Sequence, residues 1–224
     1  MLAFHGKQEI KDAYLAKVKA HELDDEITKG RYWEKGKGCA VGCTIHGNNH
    51  YSYELELGIP AAIARLKDSI FEELPNNIAK GFPLRFLEAI PVGADLSMVV
   101  PKMMLWLLID ENHGAIRHGS EKGKIAIQAV ADLYIRKIAG GIVTVSEWLI
   151  AQDSFYDDYA ADADYADYAA DAADAAADAD DAAANAAANA AAVAAVAAVD
   201  SDAARKSHFI AQADYLILLL SQCN

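Results

Sequence analysis

The stretch Pro60-Ala61-Ala62-Ile63-Ala64-Arg65-Leu66-Lys67-Asp68-Ser69-Ile70-Phe71-Glu72-Glu73-Leu74-Pro75 sets the expectation for the fold. Its apolar residues Ile63, Leu66, Ile70 and Leu74 recur at steps of three and four, which predicts a helix with one buried stripe. Proline opens its first turn and a second proline stops it. The same spacing continues on both sides. Lys7 to about Lys29 carries Ile10, Tyr14, Val18 and His21 and ends at Gly30, and Phe82 to Ile90 is closed by Pro91. Asp95–Ile109 and Lys122–Ala139 follow, the latter ending at Gly140-Gly141. No run shows sustained strand alternation. The expected fold is all-α, with a multi-helix N-terminal domain over residues 1–140.

A second region, 144–224, is expected to begin at Thr144, where Glu147 three residues later makes a capping-box pattern ahead of Trp148 and Leu149. From there to Val199 the chain has neither Pro nor Gly and is rich in alanine, the best helix former. A continuous helix of that length would be roughly 80 Å long. Asp200-Ser201-Asp202 offers a break, and Phe209, Ile210, Ala213, Leu216, Ile217 and Leu220 form a terminal amphipathic stripe. On a helical wheel Asp157, Asp164, Asp167, Asp171, Asp174, Asp178, Asp181, Asn185 and Asn189 fall within about 120°. Opposite them Ala166, Ala170, Ala173, Ala177, Ala184, Ala188, Ala191 and Ala195 form a heptad-like seam that lets another helix approach closely. Val193, Val196 and Val199 extend the Asp arc into an apolar contact, with a second copy or another protein as expected partner. Regularly spaced threonines, the mark of alpha-helical antifreeze proteins, do not occur after Thr144.

Charge follows the same division. The 224 residues carry 33 acidic and 20 basic side chains, a net charge of −13. Fourteen of the acidic residues and no Lys or Arg lie between Ile138 and Ala204, so the remainder is nearly neutral. The acidic segment is not a phosphate binder, and nucleic-acid coating and anionic membranes are not expected as main partners. Met1-Leu2-Ala3-Phe4 is too short for a signal core. The apolar run Met98–Ile109 is broken by Pro101 and Lys102 and is shorter than a bilayer requires. Three cysteines with no regular framework fit a reducing compartment, and the expected location is cytoplasmic.

Chemistry concentrates in Trp33-Glu34-Lys35-Gly36-Lys37-Gly38-Cys39-Ala40-Val41-Gly42-Cys43-Thr44-Ile45-His46-Gly47-Asn48-Asn49-His50. Cys39, Cys43, His46 and His50 make C-x3-C-x2-H-x3-H, and thiolate and imidazole are the ligands zinc prefers. On a helix over 39–46, Cys39, Cys43 and His46 share a face. One helix cannot wrap four of its own side chains round an ion, so a single site requires a loop here. Cys39 is also a nucleophile candidate: Lys35 and Lys37 favour its thiolate, and His46, His50, His113 and His118 are the candidate bases. Gly36, Gly38 and Gly42 with Lys37 and Thr44 echo phosphate-cradling loops without matching their spacing. Lys29, Arg31, Tyr32, Trp33, Lys35 and Lys37 form a basic and aromatic cluster of the kind that stacks bases. Close packing of small residues round inert thiols is the plain structural reading of the same segment.

The pattern W-x-x-G-K-G-C-A-V-G-C-T, with the alanine-rich C-terminal region, resembles a group of uncharacterised bacterial and phage-encoded proteins. The resemblance covers most of the chain and implies no activity or catalytic role. The leading expectation is a non-catalytic helical interaction or scaffold protein. The alternative is a metal- or thiol-dependent enzyme centred on Cys39, Cys43, His46 and His50.

Overall fold

The computed structural model describes residues 1–117, 121–148, 150–151 and 202–224. The alanine seam, the Asp arc, the Val193–Val196–Val199 contact and His118 lie outside them. Among the described residues the fold is all-α, with a two-stranded hairpin as its only sheet. No helix there is long and apolar enough to cross a membrane.

The chain divides into two units, Met1–Val99 with Lys206–Asn224, and Val100–Arg205. This division crosses the boundary expected near residue 140. The C-terminal residues belong with the N-terminal unit: the Asp95 amide donates to the Asn224 carbonyl (2.9 Å) and Arg85 pairs with Asp214 (2.9 Å).

In the first unit, α1 (Gln8–Leu23) packs on α2 (Ala40–Ile45) and on α5 (Phe82–Ala89), and α3 (Ala61–Glu73) packs on α2 and α5. α4 (Asn76–Ala79) is a single turn between α3 and α5. α3 realises the stripe read from the sequence, with Pro60 as N-cap and Ile63, Ala64, Leu66, Ile70 and Phe71 buried. α1 ends six residues before Lys29, because Asp25 adopts a left-handed conformation (φ 55°) that helical spacing does not reveal. The chain then runs extended, and the Thr28 amide donates to Gly38 O (2.8 Å).

The hairpin pairs β1 (Trp33–Glu34) with β2 (Lys37–Gly38). Lys35 and Gly36 at its tip both have positive φ (51° and 83°), as a tight two-residue turn of matching twist requires. The glycines beyond it have a steric role. A Cβ on Gly42 would lie 1.3 Å from the Tyr32 carbonyl oxygen, and one on Gly38 would lie 1.9 Å from it. The glycine spacing that echoes a phosphate loop therefore lets α2 seat against the Tyr32 backbone.

In the second unit, α6 (Val99–Ile109) buries Met103, Met104, Leu107 and Leu108, and α7 (Glu121–Ile138) buries Ala126, Ile127, Val130, Ala131 and Tyr134. α7 stops before Gly140-Gly141 as expected. Residues 145–148 are helical, and their capping box forms: the Thr144 amide donates to Glu147 Oε2 (2.8 Å), and the Glu147 amide to Thr144 Oγ1 (3.4 Å). With Arg136 beside it, the Glu147 carboxyl is held down at about 2. α8 (Asp202–Ser221), which from Lys206 onward is part of the first unit, carries the terminal stripe, with Ala213, Leu216 and Leu220 buried.

Candidate functional site

α3 turns a polar face toward α2 and the chain leading into the hairpin, and three of its side chains matter there. Lys67 is completely buried. Its Nζ lies 3.0 Å from Ala40 O, 3.2 Å from Thr44 Oγ1 and 2.6 Å from Tyr53 Oη, and the Thr44 hydroxyl donates to Ala40 O (2.7 Å). Burial brings the Lys67 amine down to about 7, opposed by the nearby Asp68, Cys39 and Cys43. Burial also raises the Tyr53 hydroxyl well above its ordinary value. The amine donates to Ala40 O, Thr44 Oγ1 and Tyr53 Oη, and the Tyr53 hydroxyl donates in turn to Ala40 O (3.5 Å). This knot pins the first turn of α2, and with it Cys39.

Cys39 is the N-cap of α2, 1% exposed, its Sγ accepting the Gly42 N–H at 3.5 Å. Burial pushes its thiol up to about 12; the Asp68 carboxylate adds to this and the Gly42 amide opposes it. The expected lysines do not act on it. Lys35 projects from the hairpin tip, 90% exposed, and Lys37 donates to Asp25 O (3.4 Å). Without another cation the thiol stays protonated at neutral pH, which disfavours Cys39 as a free nucleophile.

Asp68 and Glu72, one turn apart on α3, reach the same place. Cys39 Sγ, one Asp68 oxygen and one Glu72 oxygen all lie within 4.8 Å of one another. His50 Nε2 donates to Asp68 Oδ2 (3.3 Å), while Asp68 Oδ1 is buried with no hydrogen-bond partner. Glu72 Oε2 accepts the Gly30 N–H (3.0 Å). Its carboxyl is nevertheless raised, by burial first and then by Asp68, with the Gly30 amide and Lys29 opposing. The Tyr32 ring meets His50 edge-on at 5.8 Å, and Asp68, Cys39 and Glu72 add to burial in raising its phenol.

His46 stands elsewhere. It caps α2 in a left-handed conformation (φ 53°), and its ring stacks on Trp33 at 4.1 Å and 11°. Its Nε2 is 2.8 Å from His21 Nε2, and His21 Nδ1 donates to Glu26 Oε2 at 2.6 Å. Cys43 is fully buried, its thiol donating to Gly38 O (3.2 Å) and raised by burial to about 11.

The four residues expected as one ligand set are thus distributed. Cys39 joins two carboxylates, His50 stands behind one of them, His46 pairs with His21, and Cys43 bonds to backbone. His113, beside Trp106 (5.3 Å), belongs to the second unit. Of the basic and aromatic cluster, Trp33 packs on His46, Tyr32 on His50, Lys29 donates to Leu74 O, and Arg31 pairs with Glu34 (3.4 Å). A cavity of about 280 Å³ lined by Ile27, Thr28, Lys29, Phe71, Asn76, Ala79 and Lys80 includes none of these candidate ligands.

Sequence reasoning missed Asp68, Glu72, His21 and Glu26. The available signal for the first two was an i, i+4 pair of acids on an otherwise well-patterned helix. Comparison with known proteins gives no match: no family model, no curated protein and no solved structure matches the chain.

Proposed function

We propose that the protein binds a divalent transition-metal ion, zinc fitting the donors best, through Cys39 Sγ and the carboxylates of Asp68 and Glu72. One observation carries the reading: one ligand atom from a thiol and from each of two carboxylates lie within 4.8 Å of one another, and Asp68 Oδ1 is buried with no hydrogen-bond partner. A buried anionic oxygen without a partner is costly, and two acids beside a thiol repel one another as they ionise. A cation reverses each of these effects and deprotonates the thiol it binds.

Donors held about 2.0–2.3 Å from a tetrahedral zinc lie about 3.5 Å apart, so a contraction of about 1 Å closes the shell. His50 orients Asp68 from behind, as partners of ligating carboxylates do. Three protein ligands leave one position for water or substrate, the pattern of catalytic rather than closed structural zinc sites. This supports the metal-dependent reading of the Trp33–His50 segment, with Cys39 kept as a ligand and the other two ligands supplied by α3.

Competition for Zn2+ between the full-length protein and a chromophoric chelator tests it. The expected result is tight binding that Cys39→Ser and Asp68→Asn each weaken 10–100-fold, on the scale typical of metal-site mutations. Equal affinity in folded wild type and Cys39→Ser would overturn it.

A further inference from the structure

We propose a second metal site, formed by the imidazoles of His21 and His46, that takes an imidazole-seeking divalent ion such as Cu2+. It rests on side chains that the Cys39–Asp68–Glu72 reading does not use.

His21 lies in the last turn of α1 and His46 at the C-cap of α2, so the α1–α2 contact brings the rings together. Glu26 accepts from His21 Nδ1 at 2.6 Å, which places the proton on that nitrogen and leaves the Nε2 lone pair facing His46. A carboxylate behind one imidazole nitrogen while the other faces an ion is the usual outer shell of a metal-bound histidine. The second nitrogen is already in reach, since the two Nε2 atoms are 2.8 Å apart and the ring centroids 5.0 Å apart.

In the metal-free protein this contact holds one shared proton, donated by one Nε2 and accepted by the other. Two imidazole nitrogens bound to one ion at about 2.0–2.1 Å in adjacent positions lie about 3 Å apart, close to the separation present. An ion therefore takes the proton's place when the exposed His46 ring turns outward along the face of Trp33. The His46 ring stays neutral by carrying its proton on Nδ1 instead, exposed to solvent, which frees Nε2 for the ion.

Burial first, then Lys17 and His21, lower the His46 imidazole, with Glu26 and Glu56 opposing, so its ring is held neutral and keeps a lone pair to offer. His46 is held in a left-handed conformation uncommon for a residue with a side chain, as residues at working sites often are. Two imidazoles with the remaining positions left to water suit Cu2+, which heads the affinity order for such donors.

The test uses full-length Cys39→Ser protein, in which the first site is weakened and offers no thiolate, titrated with Cu2+ and read by electron paramagnetic resonance. The expected result is one equivalent of bound Cu2+ with hyperfine structure from two nitrogens. That signal is lost in Cys39→Ser/His46→Ala and in Cys39→Ser/His21→Ala, and Glu26→Gln weakens binding about tenfold. His46 is exposed, so the His46→Ala variant folds, as circular dichroism checks. A two-nitrogen signal that survives His46→Ala, or its absence from folded Cys39→Ser protein, overturns the proposal. Neither result bears on zinc at Cys39, which the competition assay reads separately.

Discussion

Replacing Lys67 by Met should make the protein more stable at neutral pH and less stable at high pH. Burial lowers the folded-state pKa of this amine from 10.5 to about 7. Between those values the unfolded chain binds a proton that the folded chain does not, so stability rises with pH across that window and is flat on either side. At about 1.4 kcal/mol per unit, the penalty at pH 7 is roughly 4–5 kcal/mol. Met fills nearly the same volume and removes it. Against this, the Tyr53 hydroxyl loses its 2.6 Å partner, while Thr44 keeps its 2.7 Å bond to Ala40 O. Tyr53 keeps only its long 3.5 Å bond to Ala40 O, and the loss of the shorter one costs about 1–3 kcal/mol. The net expectation is a gain of about 2 kcal/mol at pH 7 and a loss of similar size near pH 10, with a crossing at about pH 9. Urea unfolding of both proteins at pH 7 and 10, with chelator present, reads this as a midpoint shift of about 1 M that changes sign. Groups titrating elsewhere cancel in the difference. An equal destabilisation at both pH values would show that the amine is charged and satisfied in the folded state, and would refute the reasoning.

Three further outcomes follow from the same geometry. Gly42→Ala places a Cβ 1.3 Å from the Tyr32 carbonyl, so thermal unfolding should show a loss on the order of 4 kcal/mol or failure to fold, whereas Gly47→Ala, with nothing nearer than 3.9 Å, should be mild. With chelator present at pH 8, Ellman's reagent should label half-buried Cys223 first and reach Cys39 and Cys43 only on unfolding, because burial holds those two at about 12 and 11. Arg85→Ala breaks an exposed ion pair with Asp214 and should change stability by less than about 1 kcal/mol in the same urea assay.

Helix identity was legible in the chain where packing and local signals agree. Pro60, the Ile63–Leu66–Ile70 stripe and Pro75 bound α3, and Gly140-Gly141 ends α7, because each signal acts within a turn or two. The stop of α1 at Leu23 and the hairpin at Trp33–Gly38 were not legible. They depend on left-handed residues at Asp25 and Lys35 and on the seating of Gly38 and Gly42 against Tyr32, which are tertiary choices. The same limit applies to the site. Cys39, His46 and His50 stood out by type and spacing, but spacing pointed to one shared ion. α2 is only six residues long and ends in a left-handed turn, so Cys39 and His46 leave its two ends toward different partners. Those partners, Asp68 and Glu72 on α3 and His21 on α1, are brought in by packing across 25 residues or more of chain.

The most direct measurement of the central claim is the absorption spectrum of the chelator-treated protein during titration with Co2+, which takes zinc sites and reports a bound thiolate. The account predicts a sulfur-to-cobalt charge-transfer band that saturates at one equivalent, is displaced by Zn2+, and is absent from Cys39→Ser. A band that persists in Cys39→Ser, or no band in the folded wild-type protein, would contradict it.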